Sequence, residues 1–506
     1  MTNLLFILTD QQRADTAAPA GPCQMPHLQR LAERGVRFER CYAPNPICAP
    51  VRASLFTGLL PHNHGMVDNP HTVEAYRANF KDGLPFWPRD LQRLGYRTAY
   101  FGKWHVERSL RLENFGFDEY EIEETASHGA GAHRGYRAYR HSLGLPETPA
   151  APQTGVQVTQ PGYKPFVLSG VSPEPVEATM EHYIFSRGIR FIEERAGGGQ
   201  PWALVLSTLA PHDPYIVPRD VAGRCDPAQV RMPPSFHDDL AGRPAIYRRI
   251  QQVWKDLAWE DFARATASYY DFCAMLDDQL GRLLAALEAS GQAGDTLVVY
   301  VSDHGDYLGA HRLMLKGIPA FDEAYRVPLV LAGPGIPAGR TVDQRVNHLD
   351  LAASMLGLLG MRPSPPAPLP VGEGGRALAI GRSLLPLLGA GLQPGEAQAS
   401  GAERFENDQH FAECHGQRFA YTQRILWWRD TKYVFNGFDQ DELYDLASDP
   451  YELHNLAQEP AMRPVIEEMA SRMWGVMQQT GDANMTEAEY PMFRFAPVGP
   501  RAASKT

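Results

Sequence analysis

The stretch NLLFILTDQ (residues 3–11) is a short apolar run that ends in two polar residues. Four further runs share this apolar character, at residues 97–101, 202–208, 296–301 and 328–331. Segments with helical periodicity lie between them, including residues 176–195 and 259–290. Apolar strands that alternate with helices are typical of a mostly parallel sheet covered on both faces. We therefore predict an α/β fold with a large, mostly parallel sheet between layers of helices.

The second half of the chain predicts a smaller unit. Residues 363–375 (PSPPAPLPVGEGG) are typical of a linker. Short β-rich runs follow, at residues 419–422, 425–429, 432–435 and 442–444. A helical pattern comes after them, at residues 462–479. We predict a catalytic domain over residues 1–388 and an α+β domain with an antiparallel sheet over residues 389–506. Within the first, residues 121–172 are predicted as a surface insertion that either shapes the binding site or is an irregular excursion.

The bulk composition excludes some classes of protein. The 506 residues hold 48 Lys and Arg against 59 Asp and Glu, a net charge of −11. A nucleic-acid-binding protein would need a basic surface, so we expect no such partner. The N-terminal residues MTNLLFILTDQQR do not resemble a signal peptide, and no run approaches the ~20 apolar residues of a membrane helix. We therefore expect a cytoplasmic protein without a membrane partner.

Polar side chains, most of them ionisable, follow four of the predicted strands. In chain order, these residues are Asp10, Gln11, Lys103, His105, His212, Asp303 and His304, with His311 and Lys316 further on. In open α/β sheets, ligands bind beyond the carboxyl ends of the strands. Each residue alone could be a helix cap or a turn residue, but charges of both signs at one edge predict a site. We expect His311 either to be structural or to support the residues that contact the substrate, and not to be catalytic.

Four of these residues predict a metal site. Asp10, Gln11, Asp303 and His304 offer oxygen ligands and one imidazole. This set suits a hard divalent cation such as Ca²⁺, Mn²⁺ or Mg²⁺, whereas zinc would favour more His or Cys.

The string CAPVRASLFTG (residues 48–58) predicts a nucleophile at the start of a helix. Pro50 suits the first helical position, which places Cys48 just ahead of the helix. Free amide groups and the helix dipole favour an anion there. Arg52 lies one turn further on. The arrangement suits an attacking oxyanion and a tetrahedral anionic substrate.

These strings resemble the motifs of type I sulfatases, the formylglycine-dependent members of the alkaline phosphatase superfamily. Residues 48–58 resemble the signature Cys-x-Pro-x-Arg followed by Thr-Gly. The strings GKWH (102–105), APHDP (210–214) and ELYDLASDPYELHNLA (442–457) occur in the order expected for the family. The resemblance implies hydrolysis of a small-molecule sulfate ester. It also implies that a maturation enzyme oxidises Cys48 to formylglycine.

The resemblance further implies the role of each site residue. Formylglycine at position 48 hydrates to a diol, and one hydroxyl, ionised by the metal and by Asp303, attacks the sulfur. The metal, for which Ca²⁺ is the first expectation, is held by residue 48 together with Asp10, Gln11, Asp303 and His304. The remaining roles are as follows: Arg52 stabilises the ionised diol, Lys103 and Lys316 neutralise the sulfate oxygens, His212 protonates the leaving alcohol alone or with Lys316, and His105 takes the proton of the second hydroxyl.

Some features depart from the best-known form of the family. Ala49 and Val51 stand where hydroxyl residues are usual, which leaves the maturation enzyme open. Gln11 and His304 also resemble phosphonate monoester hydrolases and choline sulfatases, whereas the Lys103–His105 pair favours sulfate. The alternatives are a phosphonate monoester or phosphodiester hydrolase with the same nucleophile, and an unmatured protein that only binds anions.

Two further segments leave alternatives open. Asn69 and His71 follow the nucleophile helix and either reach the substrate or belong to a surface loop. The C-terminal tail, residues 487–506, is more apolar than a free terminus should be. It packs either on a neighbouring subunit of a homo-oligomer or on its own chain.

Overall fold

The computed structural model describes residues 1–71, 79–123, 133–361, 371–372, 376–377, 380–389, 408–437, 439–486 and 496–500. The strands are β1 (Asn3–Thr9), β2 (Gly35–Tyr42), β3 (Arg97–Gly102), β4 (Glu119–Glu121), β5 (Gln153–Val158), β6 (Phe166–Ser172), β7 (Trp202–Ser207), β8 (Tyr215–Pro218), β9 (Thr296–Ser302), β10 (Arg326–Ala332), β11 (Arg340–Val342), β12 (Val346–Asn347), β13 (Val371–Gly372), β14 (Arg376–Ala377), β15 (Gln409–Cys414), β16 (Gln423–Trp428), β17 (Thr431–Phe435) and β18 (Glu442–Asp445). The α-helices are α1 (Pro26–Glu33), α2 (Cys48–Thr57), α3 (Pro61–His64), α4 (Trp87–Arg93), α5 (Arg134–Ser142), α6 (Met180–Glu193), α7 (Ala245–Gln251), α8 (Trp259–Ala289), α9 (Asp322–Tyr325), α10 (His348–Leu358), α11 (Leu385–Leu388), α12 (Arg463–Thr480) and α13 (Ala483–Thr486).

A large mixed sheet forms the centre of the described chain and confirms the predicted fold class. Its nine strands run in the order β11-β2-β10-β9-β1-β7-β3-β4, with β12 also paired to β2. Strand β1 pairs in parallel with β7 and β9, and β3 pairs in parallel with β7 and β4. Only β10 among the described strands of this sheet runs antiparallel to its neighbours, β2 and β9.

Strand β1 is buried on both faces because its apolar side chains alternate between two hydrophobic clusters. Leu5 and Ile7 join the cluster that holds α6 and α8, whereas Leu4, Phe6 and Leu8 join the cluster that holds α2 and α10. A period-two alternation of this kind places successive side chains on opposite faces of the sheet. This explains why the strand is apolar throughout its length.

Several local predictions differ from the structure. Strand β2 was not predicted, because Arg37, Glu39 and Arg40 interrupt its apolar pattern. Helix α2 begins at Cys48 itself, two residues earlier than Pro50 implied. Residues 121–172 are not an irregular excursion where they are described. They form α5, β5 and β6, and β6 pairs with both β5 and β8.

The C-terminal region contains the predicted antiparallel sheet, in the order β15-β16-β17-β18, followed by α12. The predicted strand at residues 419–422 is wrong: those residues form the loop between β15 and β16. A third hydrophobic cluster joins this sheet and α12 to Leu60 and Leu349 of the larger unit. Because this cluster is shared, the domain boundary at residue 388 stays a prediction.

The remaining segments are described only in part. Most of the linker at residues 363–375 and most of the tail lie outside the described residues. In the described part of the tail, Trp474 Nε1 donates a hydrogen bond to the Val498 carbonyl at 2.7 Å, so that part contacts its own chain. Among the described helices, none combines the length and the apolar character needed to cross a bilayer.

Candidate active site

The carboxyl ends of four adjacent strands converge at one edge of the large sheet. The strands lie in the order β9-β1-β7-β3, so the loops that follow them are neighbours. The backbone N–H groups of Asp303 and Thr208 donate to the carbonyls of Thr9 and Leu8 in β1, at 3.1 and 3.0 Å. The Lys103 N–H donates to the Ser207 carbonyl at 2.9 Å. The residues that follow these strands therefore lie at one edge of the sheet, as predicted from their positions at strand ends.

Cys48 is the first residue of α2 and is completely enclosed. Its Sγ lies 3.1 Å from His304 Nε2 and 3.9 Å from Asp10 Oδ1. The next backbone amide, that of Ala49, donates to Asn69 Oδ1 at 3.2 Å. Asn69 is also buried, so it fixes the start of the helix and is not part of an exposed loop.

A group of four buried side chains fits a divalent cation. One ligand atom each from Asp10, Cys48, Asp303 and His304 lies within 4.8 Å of the others. His304 Nδ1 lies 3.0 Å from the Gly305 carbonyl, a contact that places the proton on Nδ1 and leaves Nε2 as a lone-pair donor. Burial lowers the pKa of His304, which keeps the imidazole neutral. Two carboxylates and one neutral imidazole suit Ca²⁺, Mn²⁺ or Mg²⁺.

Gln11 adjoins this group and makes other contacts. Its Oε1 accepts a hydrogen bond from Lys316 Nζ at 2.5 Å, and its Nε2 donates to Asp306 Oδ2 at 2.6 Å. Its backbone N–H donates to Asp303 Oδ1 at 2.9 Å. Gln11 therefore joins the metal group to Lys316, and its role as a metal ligand stays a prediction.

Two buried cations balance the carboxylates of the site. Arg52 Nε donates to Asp303 Oδ2 at 2.8 Å, and its second terminal nitrogen lies 3.3 Å from Asp10 Oδ2. The Lys103 ammonium also contacts Asp10 Oδ2. Burial alone would raise the pKa of Asp10, but neighbouring cations, with Lys103 the strongest and Arg52 among them, outweigh it and hold the pKa well below 3.8. Asp10 is therefore ionised at neutral pH.

Lys316 and His212 form a third part of the site. Lys316 Nζ lies 2.6 Å from His212 Nε2, and His212 Nδ1 lies 2.7 Å from the Asp213 carbonyl. Burial would lower the pKa of Lys316, but the neighbouring Cys48 and Asp213 raise it above 10.5. The ammonium is therefore the donor, and His212 Nε2 is the acceptor.

His105 follows Lys103 in the loop after β3, and a backbone hydrogen bond fixes its position. Its N–H donates to Glu123 Oε1 at 2.6 Å, and its backbone has a left-handed φ of 44°. Its Nε2 lies 3.0 Å from His71 Nδ1, and the two rings stack at 5.0 Å. His71 thus contacts a predicted catalytic residue.

Sequence reasoning missed several residues that hold the site in place. Asp306 accepts hydrogen bonds from Tyr215 at 2.5 Å and from the backbone amides of Leu308 and Leu315 at 2.9 Å each. These contacts fix the loop that leads to Lys316. The second carboxylate of residues 303–306 (DHGD) could have pointed to Asp306, because it lies next to the predicted metal ligands. Glu123 lay in a segment without periodicity, which gave no such signal.

His311 does not contact the residues of the metal group. Its Nδ1 lies 2.6 Å from Asp238 Oδ2, and its ring stacks on Phe321 at 3.5 Å. Both contacts support the structural role predicted for it.

Comparisons with known proteins place the chain among related sequences and structures. The sulfatase family model matches residues 2–361, and the model described as N-sulphoglucosamine sulphohydrolase, C-terminal, matches residues 309–479. An uncharacterized sulfatase of Escherichia coli (strain K12) is 28% identical over 488 residues, which cover 95% of this chain and 88% of that protein. The choline-sulfatase of Rhizobium meliloti (strain 1021) is 29% identical over 476 residues, which cover 90% and 83%.

Among solved structures, the phosphonate monoester hydrolase of Silicibacter pomeroyi superposes with a TM-score of 0.75 at 22% identity. The match covers 95% of this chain and 96% of that one, and it shows a shared fold. The family match extends over most of the chain, including Cys48 and the whole metal group. The chain therefore belongs to the sulfatase family of sulfuric ester hydrolases.

Proposed function

We propose that this protein hydrolyses small-molecule sulfate monoesters with a formylglycine derived from Cys48 and one divalent cation. The observation that carries the proposal is the position of Cys48. Its Sγ lies at a helix start, 3.1 Å from His304 and beside Asp10, within the group of side chains that fits a cation. A structural cysteine would have no need of such neighbours.

The chemistry of the donor set defines the cofactors. Asp10, Asp303 and His304, with residue 48, would hold the cation, and Gln11 would complete the set if its amide oxygen leaves Lys316. Ca²⁺ is our first choice, since the set is rich in oxygen and poor in nitrogen. When bound, the cation and the hydrated aldehyde would together supply an ionised hydroxyl at neutral pH.

Cationic side chains would hold the sulfate. Lys103 is buried and Lys316 is half-buried, and both act on Cys48. Burial would raise the pKa of the Cys48 thiol, but the charges of Lys103 and Lys316 outweigh it and lower that pKa. Preorganised charges of this kind stabilise an anionic transition state without reorganisation. Arg52 is held between Asp10 and Asp303, so its main effect is to neutralise and orient those carboxylates.

Two imidazoles would move protons. Because Lys316 donates to His212 Nε2, a proton from this pair can reach the leaving alcohol oxygen. His105 would accept the proton of the second diol hydroxyl, and its contact with His71 orients the ring. Sulfate would then leave as the aldehyde is regenerated.

Phosphonate monoesters or phosphodiesters are the second candidate substrates. Gln11 and His304 at the metal group favour them, whereas the Lys103–His105 pair favours sulfate. We propose sulfate esters as the main substrates and phosphonate esters as a promiscuous activity. The maturation enzyme, the cytoplasmic location and a homo-oligomeric state stay predictions.

The decisive experiment combines mass and activity. Intact mass and peptide mapping across Cys48 are expected to show replacement of the CH2SH group by an aldehyde. The ratio of kcat/KM for 4-nitrophenyl sulfate and 4-nitrophenyl phenylphosphonate is expected to favour the sulfate. An active preparation with only unmodified Cys48, or full activity in Cys48→Ala, would refute the nucleophile. A phosphonate preference of several orders of magnitude would reverse the order of the substrates.

A further inference from the structure

The loop between β15 and β16, residues 415–422, lies against the active site. It is closed by a hydrogen bond from the Tyr421 N–H to the His415 carbonyl at 2.8 Å. A Cβ atom placed on Gly317 would lie 3.5 Å from Gln417 Oε1. Because Gly317 directly follows Lys316, this loop of the C-terminal region lies next to a residue of the proposed sulfate site.

The same loop also contacts the segment beside the nucleophile. The Arg418 N–H donates to Asp68 Oδ2 at 3.3 Å, while Asp68 Oδ1 accepts from the Asn69 N–H at 2.7 Å. Asn69 in turn holds the amide of Ala49, next to Cys48. The loop therefore spans the site from the Lys316 side to the Cys48 side.

Arg418 is unlike the other cations of this region. Arg52, Lys103 and Lys316 are all engaged with side chains of the site. Within the described part of the chain, the exposed Arg418 guanidinium has neither an ion pair nor a hydrogen bond. Its backbone also has a left-handed φ of 68°, a conformation that non-glycine residues adopt at a cost and that is concentrated at functional sites.

The charge of Arg418 acts on His71, which lies beside His105. Burial lowers the pKa of His71, and the charges of Lys103 and Arg418 lower it further. His71 stacks on His105, so Arg418 acts on the direct neighbour of a residue of the proposed site. Phe419, the next residue, is 46% exposed and adds apolar surface beside the cation.

We propose that Arg418 binds a second anionic group, a carboxylate or a sulfo group, on the alcohol part of the substrate. This inference rests on the proposed sulfatase function and names the substrate class within it. The reacting sulfate is already provided with Lys103 and Lys316, which leaves the Arg418 guanidinium for another group. A guanidinium presents two parallel N–H donors that match such oxygens in pairs. An overall charge of −11 makes a local cation necessary for such a substrate.

The test compares aryl sulfates that differ in one charge. The mature enzyme is assayed with 3-carboxyphenyl sulfate, 3-sulfophenyl sulfate and 3-carbamoylphenyl sulfate, of which the last has a neutral ring substituent. The readout is the ratio of kcat/KM for each ester with a charged substituent, called a charged ester, to that for the carbamoyl ester. In Arg418→Asn, which tolerates the left-handed backbone, we expect this ratio to fall about tenfold or more for at least one charged ester. Arg418→Lys should retain part of the selectivity, and the ester that responds more identifies the group.

Arg429→Asn is the matched control. Arg429 is also exposed, also left-handed with a φ of 54°, and lies at the opposite end of β16. Its variant should keep the wild-type ratios. If the ratios in Arg418→Asn stay within about twofold of wild type for both charged esters, the inference about Arg418 is overturned and the proposed function is unaffected. Failure of the mature wild-type enzyme to release sulfate from any of the three esters would instead count against the proposed function.

Discussion

Lys316 Nζ lies 2.6 Å from His212 Nε2, while His212 Nδ1 is turned toward the Asp213 carbonyl at 2.7 Å. The contact fixes the ring so that Nε2 points to the ammonium. Because the pKa of Lys316 is raised, Lys316 holds its proton throughout the neutral range. We infer that the two residues act together as the acid for the leaving alcohol.

The first prediction concerns that acid. His212→Asn should lower kcat/KM by about 10²–10⁴-fold for an alkyl sulfate, whose alcohol needs a proton to leave. The loss should be much smaller for 4-nitrophenyl sulfate, whose phenolate leaves unaided. A plot of log kcat/KM against leaving-group pKa measures the difference as a steeper slope. His454→Asn is the control, since that side chain is 78% exposed; an unchanged slope in His212→Asn would exclude the acid role.

The second prediction concerns the cation. Two groups of described side chains have ligand-like spacing, namely Asp10, Cys48, Asp303 and His304, and His62, Glu413 and Asp482. In the second group, Arg424 already lies 2.7 Å from Asp482 and 3.5 Å from Glu413, so that charge is balanced without a metal. We therefore expect one equivalent of metal, in the first group only.

Metal analysis and thermal unfolding test this expectation. Asp303→Asn should lose the bound metal and the rise of Tm that Ca²⁺ produces, whereas Asp482→Asn should keep both. A ligand at 100 times its Kd stabilises the folded state by about 2.7 kcal/mol. Retention of a full equivalent in Asp303→Asn would contradict the assigned site.

The third prediction concerns Asp306, which positions both Gln11 and the Lys316 loop. Burial raises the pKa of Asp306 to about 6, although hydrogen bonds from Tyr215 and Leu308 oppose the rise. In Asp306→Asn, the amide group would face donors, so one buried donor would lose its partner at a cost of about 1–3 kcal/mol. We expect a lower Tm together with a lower kcat, because Lys316 is displaced.

Tyr215→Phe is the comparison for this variant. It removes a single hydrogen bond to Asp306 and leaves the backbone contacts of Leu308 and Leu315 in place. Its kcat should therefore fall less than that of Asp306→Asn. Equal activity of Asp306→Asn and wild type would show that the loop is positioned by other contacts.

The sequence predicted the strand-end residues of the site better than the residues that hold the loops of the site in place, for a physical reason. Asp10, Lys103 and Asp303 follow apolar strands, and parallel strands bring their carboxyl ends to one edge, so local pattern sufficed. Asp306 and Glu123 act through loop conformations that have no periodic signature. Likewise, β2 beside antiparallel β10 is largely buried, but the half-buried Arg37 and Arg40 and the exposed Glu39 obscured the strand.

The C-terminal region shows the same limit. The aromatic residues of 419–422 favoured a strand, yet the register of β15 with β16, from Gln409 opposite Trp428 to Cys414 opposite Gln423, leaves them in the connecting loop. Register depends on pairing with a distant segment, which single-strand propensity does not contain. The position of Arg418 beside Asp68 follows from that register.

The fourth prediction concerns an ion pair that joins α3 to the C-terminal sheet. His62 Nδ1 lies 2.7 Å from Glu413 Oε2, and both side chains are buried. Burial alone would lower the pKa of His62, but Glu413 outweighs it, so the net pKa lies above 6.5. A raised folded-state pKa gives stability that is fully present below the unfolded pKa and is lost as pH rises through the folded value. The pair should therefore stabilise the contact most at mildly acidic pH.

Thermal unfolding of His62→Gln at about pH 6.0 and about pH 8.5 measures this effect. Breaking a buried pair costs on the order of 3 kcal/mol when one charge is left alone. The difference in Tm between wild type and His62→Gln should therefore be larger at the lower pH. The pKa of Glu413 is held well below 4.5, chiefly by His62 and His415 against the effect of burial, so Glu413 stays ionised at both values. His454→Gln, with its 78% exposed side chain, should show no pH-dependent difference. An equal Tm difference at both pH values would mean that His62 acts through packing and its neutral hydrogen bond, without the ion pair.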